Sequence, residues 1–124
     1  MAKFTHSDVL DGALNIIKNN STRLIACSAQ PTTYAEATST YELADVTVSS
    51  SDYTITNGDT SGRKLTRAAK SAVPVDVSGT VTHIAEVDVT NSKLLNVTTT
   101  ASQGVSFGGT VDIGSFKNEI AAPA

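Results

Sequence analysis

The sequence predicts a mainly β fold, an antiparallel β-sandwich or barrel-like sheet with one N-terminal α-helix packed on it. Three observations lead to this prediction. The 124 residues include 18 Thr and 14 Ser with many Val, and the branched side chains of Thr and Val favour strands. Short apolar runs recur between turn residues, and one N-terminal segment alone has helical spacing. A chain of this length forms one domain, 1–124, with one core.

The predicted helix covers residues 7 to about 19 and follows a short N-terminal arm, 1–6. Its apolar residues recur at helical spacing: Val9, Leu10, Ala13, Leu14, Ile16 and Ile17. Ser7 is the expected N-cap, and Asp8 and Asp11 lie where the helix dipole favours negative charge. Gly12 weakens a helix, so we expect it to allow a close approach to a neighbouring strand.

The run RLIACS, from Arg23 to Ser28, predicts a buried strand that ends with the single cysteine. A catalytic cysteine needs an adjacent base or a lowered pKa. No motif places His6 or His83 beside Cys27. The sequence therefore favours Cys27 as a small buried hydrophobic residue over a nucleophile.

A polar turn, Gln30 to Thr40, follows this strand, and Pro31 favours an extended entry into it. Thr32 or Thr33 can cap a short helical turn there. In the next strand Tyr41 and Leu43 have one parity and Val46 and Val48 the other. That change predicts a bulge or a break near Ala44 and Asp45.

The second half reads as a series of strands, RKLTRAAKSAVPVDV, TVTHIAEVDV, KLLNVTTT and TVDIGSFKNEI, separated by turn residues. Pro74 marks an edge or a bulge, because it cannot donate to a sheet hydrogen bond. SQGVSFGG is expected to be a loop, and His83 a half-buried strand residue. This regular spacing favours antiparallel strands over parallel units with crossover helices.

No combination of residues predicts chemistry. Asp52, Asn57 and Asp59 lack the alternating ligands and the bidentate Glu of a calcium loop. Glu86 and Asp88 have the same parity in one strand and can form a carboxylate pair, but nothing else indicates a pocket. The glycines near residue 108 lack the Lys-Ser/Thr ending of a phosphate loop. We therefore expect no enzyme activity, no metal, no cofactor and no small-molecule substrate.

The charge pattern limits the classes of partner that the chain is expected to bind. A net charge of -3 without a long basic run argues against nucleic acid and anionic lipid. No segment has the roughly 20 apolar residues that span a bilayer, and the start lacks an apolar signal region. These observations predict synthesis in the cytoplasm. The modest basic cluster of Arg63, Lys64, Arg67 and Lys70 fits a solvated strand face, a protected edge or a docking patch for an acidic partner.

Several long phrases are similar to those of small structural proteins of tailed bacteriophages. They are VLDGALNIIKNNSTRLIACSAQPTTYAEATSTYELADV at 9–46, GDTSGRKLT at 58–66, VDVSGTVTHIAEVD at 75–88 and KLLNVTTT at 93–100. Within that group the chain resembles capsid decoration, or cement, proteins. The resemblance implies a virion protein, made in the host cytoplasm, that binds the outside of the major capsid protein shell. A tail, neck or fibre component is the alternative.

Few aromatic residues, six Phe and Tyr together, predict a thin core that is helped by oligomerisation. We expect a homotrimer at the local three-fold axes of the shell, where many weak symmetric contacts add up. The candidate contacts lie in the arm, in the polar turn and in the basic cluster. They are Phe4, Gln30, Pro31, Thr32, Thr33, Tyr34, Glu36, Arg63 and Arg67.

Overall fold

A computed structural model describes residues 4–122 of the chain. About 50% of the residues are in strands and 20% in helices, and every strand pair is antiparallel. The predicted fold class is confirmed, with one N-terminal helix packed on the sheets. Within the described range the sheets remain open and do not close into a barrel.

Residues 4–122 form one α-helix and nine strands. They are α1 Ser7–Asn20, β1 Arg23–Cys27, β2 Glu42–Thr47, β3 Tyr53–Asn57, β4 Arg63–Arg67, β5 Lys70–Pro74, β6 Gly79–Asp88, β7 Lys93–Val105, β8 Thr110–Ile113 and β9 Phe116–Ile120. A π-helical turn, Glu36–Thr40, lies between β1 and β2, and a short 3-10 turn, Ser50–Asp52, precedes β3. The strands form a four-stranded sheet in the order β2-β1-β6-β7, a three-stranded sheet β3-β4-β9 and a two-stranded sheet β5-β8.

Helix α1 has nearly the predicted bounds, but two expectations about it are wrong. The N-cap is His6 instead of Ser7, and His6 Nδ1 accepts a hydrogen bond of 3.0 Å from the Asp8 amide. Gly12 does not approach a strand, since a Cβ atom at this position would meet nothing within 4 Å. The helix contacts β4 and β3 through its other side, where Leu14 is buried.

The main core lies between the four-stranded sheet, the two smaller sheets and α1. Strand β1 contributes Leu24 and Ala26, β4 contributes Leu65, β8 contributes Ile113 and the helix contributes Leu14. Alternate residues of a strand point to opposite faces, so the other residues of β1 leave this core. Burial of apolar groups from all three sheets and the helix joins them into one unit.

A second apolar cluster covers the outer face of the four-stranded sheet. Ile25 and Cys27 of β1 and Ala85 of β6 pack there against Ala37 and Tyr34, which belong to the polar turn between β1 and β2. The centre of the four-stranded sheet, β1 and the second half of β6, is therefore buried on both faces. This position explains why RLIACS is an almost continuous apolar run.

The smaller sheets are formed by segments that the sequence predicted as single strands. RKLTRAAKSAVPVDV divides at Ala68 and Ala69 into β4 and β5, which belong to different sheets. Similarly, TVDIGSFKNEI divides into β8 and β9. The predicted edge or bulge at Pro74 is confirmed: β5 pairs with β8 alone, and their register shifts between Lys70 and Val73. The predicted loop SQGVSFGG is partly wrong, because β7 continues to Val105.

Strands β7 and β9 are terminal strands of their sheets. The twelve residues 94–105 of β7 carry no charged side chain, and the strand departs from regular pairing with β6 at two places. Bulges of this kind twist an edge away from uncontrolled pairing. Residues of both strands, Thr98 to Thr100 of β7 and Phe116 of β9, line one small pocket.

Candidate interaction surface and buried polar network

Helix α1 carries apolar residues on its exposed side as well as on its buried side. Val9 is 67% exposed and Ile16 is 56% exposed, while Leu14 is 2% exposed. Between Val9 and Ile16 lie the exposed small residues Gly12 and Ala13. The spacing i, i+3, i+4 and i+7 places these four residues along one face of the helix. We call them the outer stripe.

Phe4 lies just before α1 and is 82% exposed. Its ring makes an edge contact with the His6 ring at a centroid distance of 6.4 Å. The predicted arm thus ends in an exposed aromatic residue followed by the helix cap. Met1, Ala2 and Lys3 of this arm lie outside the described residues.

The predicted contacts in the polar turn are held by local hydrogen bonds. The Thr32 amide and hydroxyl donate to Glu36 Oε1 at 2.8 and 2.7 Å, and Thr33 Oγ1 accepts from the Glu36 amide at 3.1 Å. The two bonds from Thr32 to the carboxylate lower the pKa of Glu36. Pro31 is buried and Tyr34 packs on the outer cluster, so Gln30, Thr32 and Thr33 remain exposed.

Phe4 and the polar turn do not form one surface. The turn packs on the face of the four-stranded sheet that carries Ile25 and Cys27. Helix α1 packs on the opposite side, with Leu14 in the main core beside Leu24 and Ala26. The four-stranded sheet separates the two predicted contact regions, which therefore can reach different neighbours in an assembly.

Each residue of the basic cluster has a carboxylate partner within the chain. Arg63 Nε donates to Asp11 Oδ1 at 2.8 Å, which ties α1 to β4. Lys64 pairs with Asp59, and Lys70 Nζ lies 2.9 Å from Asp52 Oδ1. Carboxylates of the same chain already balance these charges. This weakens the interpretation of the basic cluster as a docking patch.

Arg67, the remaining member of the cluster, lies inside the molecule. Its side chain is 3% exposed. Nη2 donates to the Gly114 carbonyl at 3.0 Å, Nη1 lies 3.5 Å from Glu86 Oε1, and Cζ lies 5.7 Å from the centre of the Phe116 ring. This burial contradicts the expectation that Arg67 lies on an exposed contact surface. The parity with Leu65 in RKLTR was the signal for its burial, because both residues point to the same face of β4.

Glu86 of β6 is the buried counterpart of Arg67. It accepts a short hydrogen bond from the Tyr53 hydroxyl on Oε2 and one of 2.9 Å from Asn96 Nδ2 on Oε1. Burial, followed by the charge of Glu86, raises the pKa of Tyr53 above its usual range. We call Tyr53, Arg67, Glu86 and Asn96 the buried polar network. It connects strands of the three-stranded and four-stranded sheets.

The predicted pair of Glu86 and Asp88 does not act as a unit. Asp88 accepts a hydrogen bond of 2.7 Å from Asn91 Nδ2, in the turn after β6, and this bond lowers the pKa of Asp88. Glu86 instead belongs to the buried polar network. The two carboxylates therefore have separate partners and separate environments.

The pairing of β1 with β6 places His83 opposite Cys27, an arrangement that the sequence did not predict. The Cys27 thiol nevertheless lies 3.7 Å from the Ile25 carbonyl and 3.9 Å from that of Ala37. His83 Nδ1 contacts Thr82 Oγ1 at 2.9 Å. Burial raises the pKa of Cys27 to about 12, which is opposite to the change that activates a thiol. The prediction of a buried cysteine is confirmed.

Three acidic side chains meet at the start of β2. Carboxylate oxygens of Glu42, Asp45 and Asp76 lie within 4.8 Å of one another, and Asp45 also pairs with Arg23 at 3.1 Å. Burial and the adjacent Asp76 raise the pKa of Glu42 to about 7. A cation or a shared proton can relieve the repulsion among these carboxylates. The raised pKa of Glu42 corresponds to the shared proton. The expectation that the chain holds no metal stays a prediction.

Comparison with protein-family models, with curated proteins and with solved structures gave no match. Among the described residues no helix is long and apolar enough to cross a membrane.

Proposed function

We propose that this chain is a structural virion protein that decorates and stabilises a bacteriophage capsid by binding the outside of the major capsid protein shell. The outer stripe of α1 carries the proposal. Its apolar side chains have no partner within residues 4–122, although the same helix buries Leu14 against the core. Apolar surface gains about 25 cal/mol per Å² when it leaves water.

The modest size of the outer stripe fits a repeated assembly. Four residues on one helix face cover much less than the roughly 800 Å² per partner of a standard stable interface. A decoration protein does not need a large interface in each copy, because neighbouring copies hold one another on the shell. The exposed Phe4 just before α1 adds an aromatic group, and aromatic side chains contribute strongly to interface energies.

The phrase-level resemblance to phage decoration proteins supports the same proposal. The environments of the chemically reactive side chains agree with a binding role, and we propose that the chain is not an enzyme. Burial raises the pKa of Cys27, and Glu86 is occupied by Tyr53 and Asn96. Neither group is free to act as a nucleophile or as a general base.

We propose a homotrimer in which the two exposed regions contact different neighbours. The outer stripe and Phe4 lie on one side of the four-stranded sheet, and Gln30, Thr32 and Thr33 lie on the other. One region can therefore bind the shell while the other contacts a companion copy. Size-exclusion chromatography with light scattering tests the trimer, and a concentration-independent monomer would contradict it.

Locating the protein on intact particles tests the proposed role. Purified heads that lack the protein are incubated with the chain and imaged by cryo-electron microscopy. We expect density on the outer shell and increased resistance of the heads to heat. Density confined to the tail, neck or fibres would contradict decoration and support the alternative assembly role.

A further inference from the structure

Strand β9, Phe116–Ile120, has one edge that no other strand covers. It is a terminal strand of the three-stranded sheet, and within residues 4–122 it pairs with β4 alone. The backbone N–H and C=O groups of such an edge can pair with a strand of another chain. Proteins often protect these edges with a charge that repels a second copy. The charges of β9 are arranged differently.

The side chains of β9 are complementary to those of a second β9 strand that runs antiparallel to it. In a two-fold antiparallel pair one residue lies opposite itself, because hydrogen-bonded and non-hydrogen-bonded pairs alternate along the strands. With Asn118, the middle residue, in this position, all five residues are paired. Lys117 then lies opposite the partner's Glu119, and Phe116 lies opposite the partner's Ile120. The two-fold axis repeats each of these two pairs.

Lys117 and Glu119 supply opposite charges on the exposed face of the strand. Both residues are exposed, and the Lys117 side chain keeps 56% of its surface accessible. Within the chain, Lys117 Nζ lies 3.3 Å from Asp59 Oδ2, and Glu119 Oε1 accepts a hydrogen bond of 3.2 Å from the Thr60 amide. These exposed contacts are weak and leave both charges accessible to a partner. Opposite charges directly across two antiparallel strands stabilise the pairing.

Phe116, Asn118 and Ile120 lie on the other face of the strand, and each is partly buried. Ile120 packs against the main core of its own chain. In the antiparallel pair, the partner's Ile120 lies beside Phe116, and the contact removes apolar surface from water. Asn118 meets its own copy. Its neutral amide is both a donor and an acceptor, so two such groups can bond to each other.

We propose that the edge of β9 binds β9 of a second copy of this chain and joins the two three-stranded sheets into one continuous sheet. The terminal strand β2 does not offer this complementarity, because its charged residues Glu42 and Asp45 are both acidic. The outer stripe and the polar turn take no part in the contact, so the inference does not rest on the proposed function. A two-fold contact of this kind can also join two copies of the proposed trimer.

The first test exchanges the two charges. Lys117→Glu gives a strand with two acidic residues, and Glu119→Lys gives a strand with two basic residues. Each variant alone places like charges opposite one another in the pair, whereas an equimolar mixture of the two restores opposite charges at both positions. Analytical ultracentrifugation measures self-association up to about 1 mM, and circular dichroism checks that each variant is folded.

We expect weak self-association of the native chain, with a dissociation constant in the micromolar to millimolar range, because one short strand per copy makes a small contact. Each single variant should associate at least about tenfold more weakly, and the mixture should regain the native strength. The proposal is wrong if either variant associates as strongly as the native chain, or if mixing restores nothing. A native chain that remains a monomer at about 1 mM would overturn it as well.

Cross-linking tests the register. The variant Asn118→Cys places a cysteine opposite its own copy, where Cα atoms are roughly 4.5–5.5 Å apart and a disulfide can form. Lys117→Cys is the control: the position is more exposed, but it lies diagonal to its own copy at roughly 7–8 Å. The native Cys27 is buried and does not compete. Under mild oxidation we expect disulfide dimers of Asn118→Cys and few of Lys117→Cys. Equal cross-linking of the two variants, or none at residue 118, would contradict the pairing about Asn118.

Discussion

The usual distribution of side chains, with apolar groups inside and charged groups outside, is reversed in two regions. One is the space between the sheets, and the other is the outer face of α1. Between the sheets lie a guanidinium, a carboxylate and a phenol, those of Arg67, Glu86 and Tyr53. On the outer face of α1 lie Val9 and Ile16, both more than half exposed. Buried charge and exposed apolar surface are the informative departures from the common pattern, and here the two departures have different explanations.

The interior region is explained by partners within the chain. Glu86 is held by Tyr53 and Asn96, and its charge faces that of Arg67 at 3.5 Å. The outer stripe has no such internal partner among the described residues. A polar group that finds its partner inside is part of the fold, whereas an apolar face without a partner indicates a contact with another molecule.

The largest expected effect on stability concerns the interior region, the buried polar network. Replacing Glu86 by Gln removes the carboxylate that pairs with Arg67 and leaves a buried positive charge unbalanced. Breaking a buried pair in this way costs about 3–5 kcal/mol of unfolding free energy. Urea unfolding followed by circular dichroism measures the change. The control is Glu119→Gln, an exposed position that should change stability by no more than about 0.5 kcal/mol.

The two sides of α1 can be compared by equal truncations. Leu14→Ala should destabilise the protein by about 2–5 kcal/mol, because it leaves a cavity in the main core. Ile16→Ala, two residues away and exposed, should change stability by at most about 0.5 kcal/mol. Thermal and urea unfolding of both variants provide the measurement. A large loss for Ile16→Ala would mean that the outer stripe supports the fold and is not reserved for a partner.

Glu42 gives the next prediction, a dependence on pH. Its pKa is raised from 4.5 to about 7 in the folded protein, so between these values the folded state binds more protons than the unfolded chain. Raising the pH through this window therefore lowers stability through Glu42, by about 1 kcal/mol after solvent screening. Unfolding of the native protein and of Glu42→Gln at pH 4.5 and 7.5 isolates this contribution. An identical pH dependence in both proteins would contradict it.

The smallest effect concerns Gly12. A Cβ atom there meets no other group, so Gly12→Ala should stabilise the isolated protein by about 0.5–1 kcal/mol through helix propensity. The same methyl group lies within the outer stripe and should weaken head binding if a neighbour packs closely on the helix. Unfolding and head-binding measurements on this one variant separate the two effects. Unchanged head binding would contradict the close packing of a neighbour at Gly12.

Local patterns predicted much of the fold. The helical spacing from Val9 to Ile17 gave α1 to within one residue at its end, and the apolar run around Ile25 gave β1. The burial of Cys27 followed from its place in that run. These features depend on neighbours in sequence, and this is why a single chain is sufficient to predict them.

The remaining features depend on contacts between distant residues. The division of RKLTRAAKSAVPVDV between two sheets requires knowledge of β9 and β8, the partners of β4 and β5. The pairing of His83 with Cys27 and the meeting of Arg67 with Glu86 depend on strand register and on sheet packing, which no local spacing encodes. The sequence shows that the residues of the outer stripe are apolar. Their exposure follows only from the structure, in which Leu14 is on the side of α1 that faces the core.

The most direct test of the account is the binding of matched double variants to heads that lack the protein. Val9→Glu with Ile16→Glu places two charges on the outer stripe. The control, Val77→Glu with Val89→Glu, makes the same kind of change at positions that are 49% and 42% exposed elsewhere on the molecule. With both proteins folded, we expect at least tenfold weaker binding for the stripe variant and near-normal occupancy for the control. Full occupancy by the stripe variant would contradict docking through the outer face of α1.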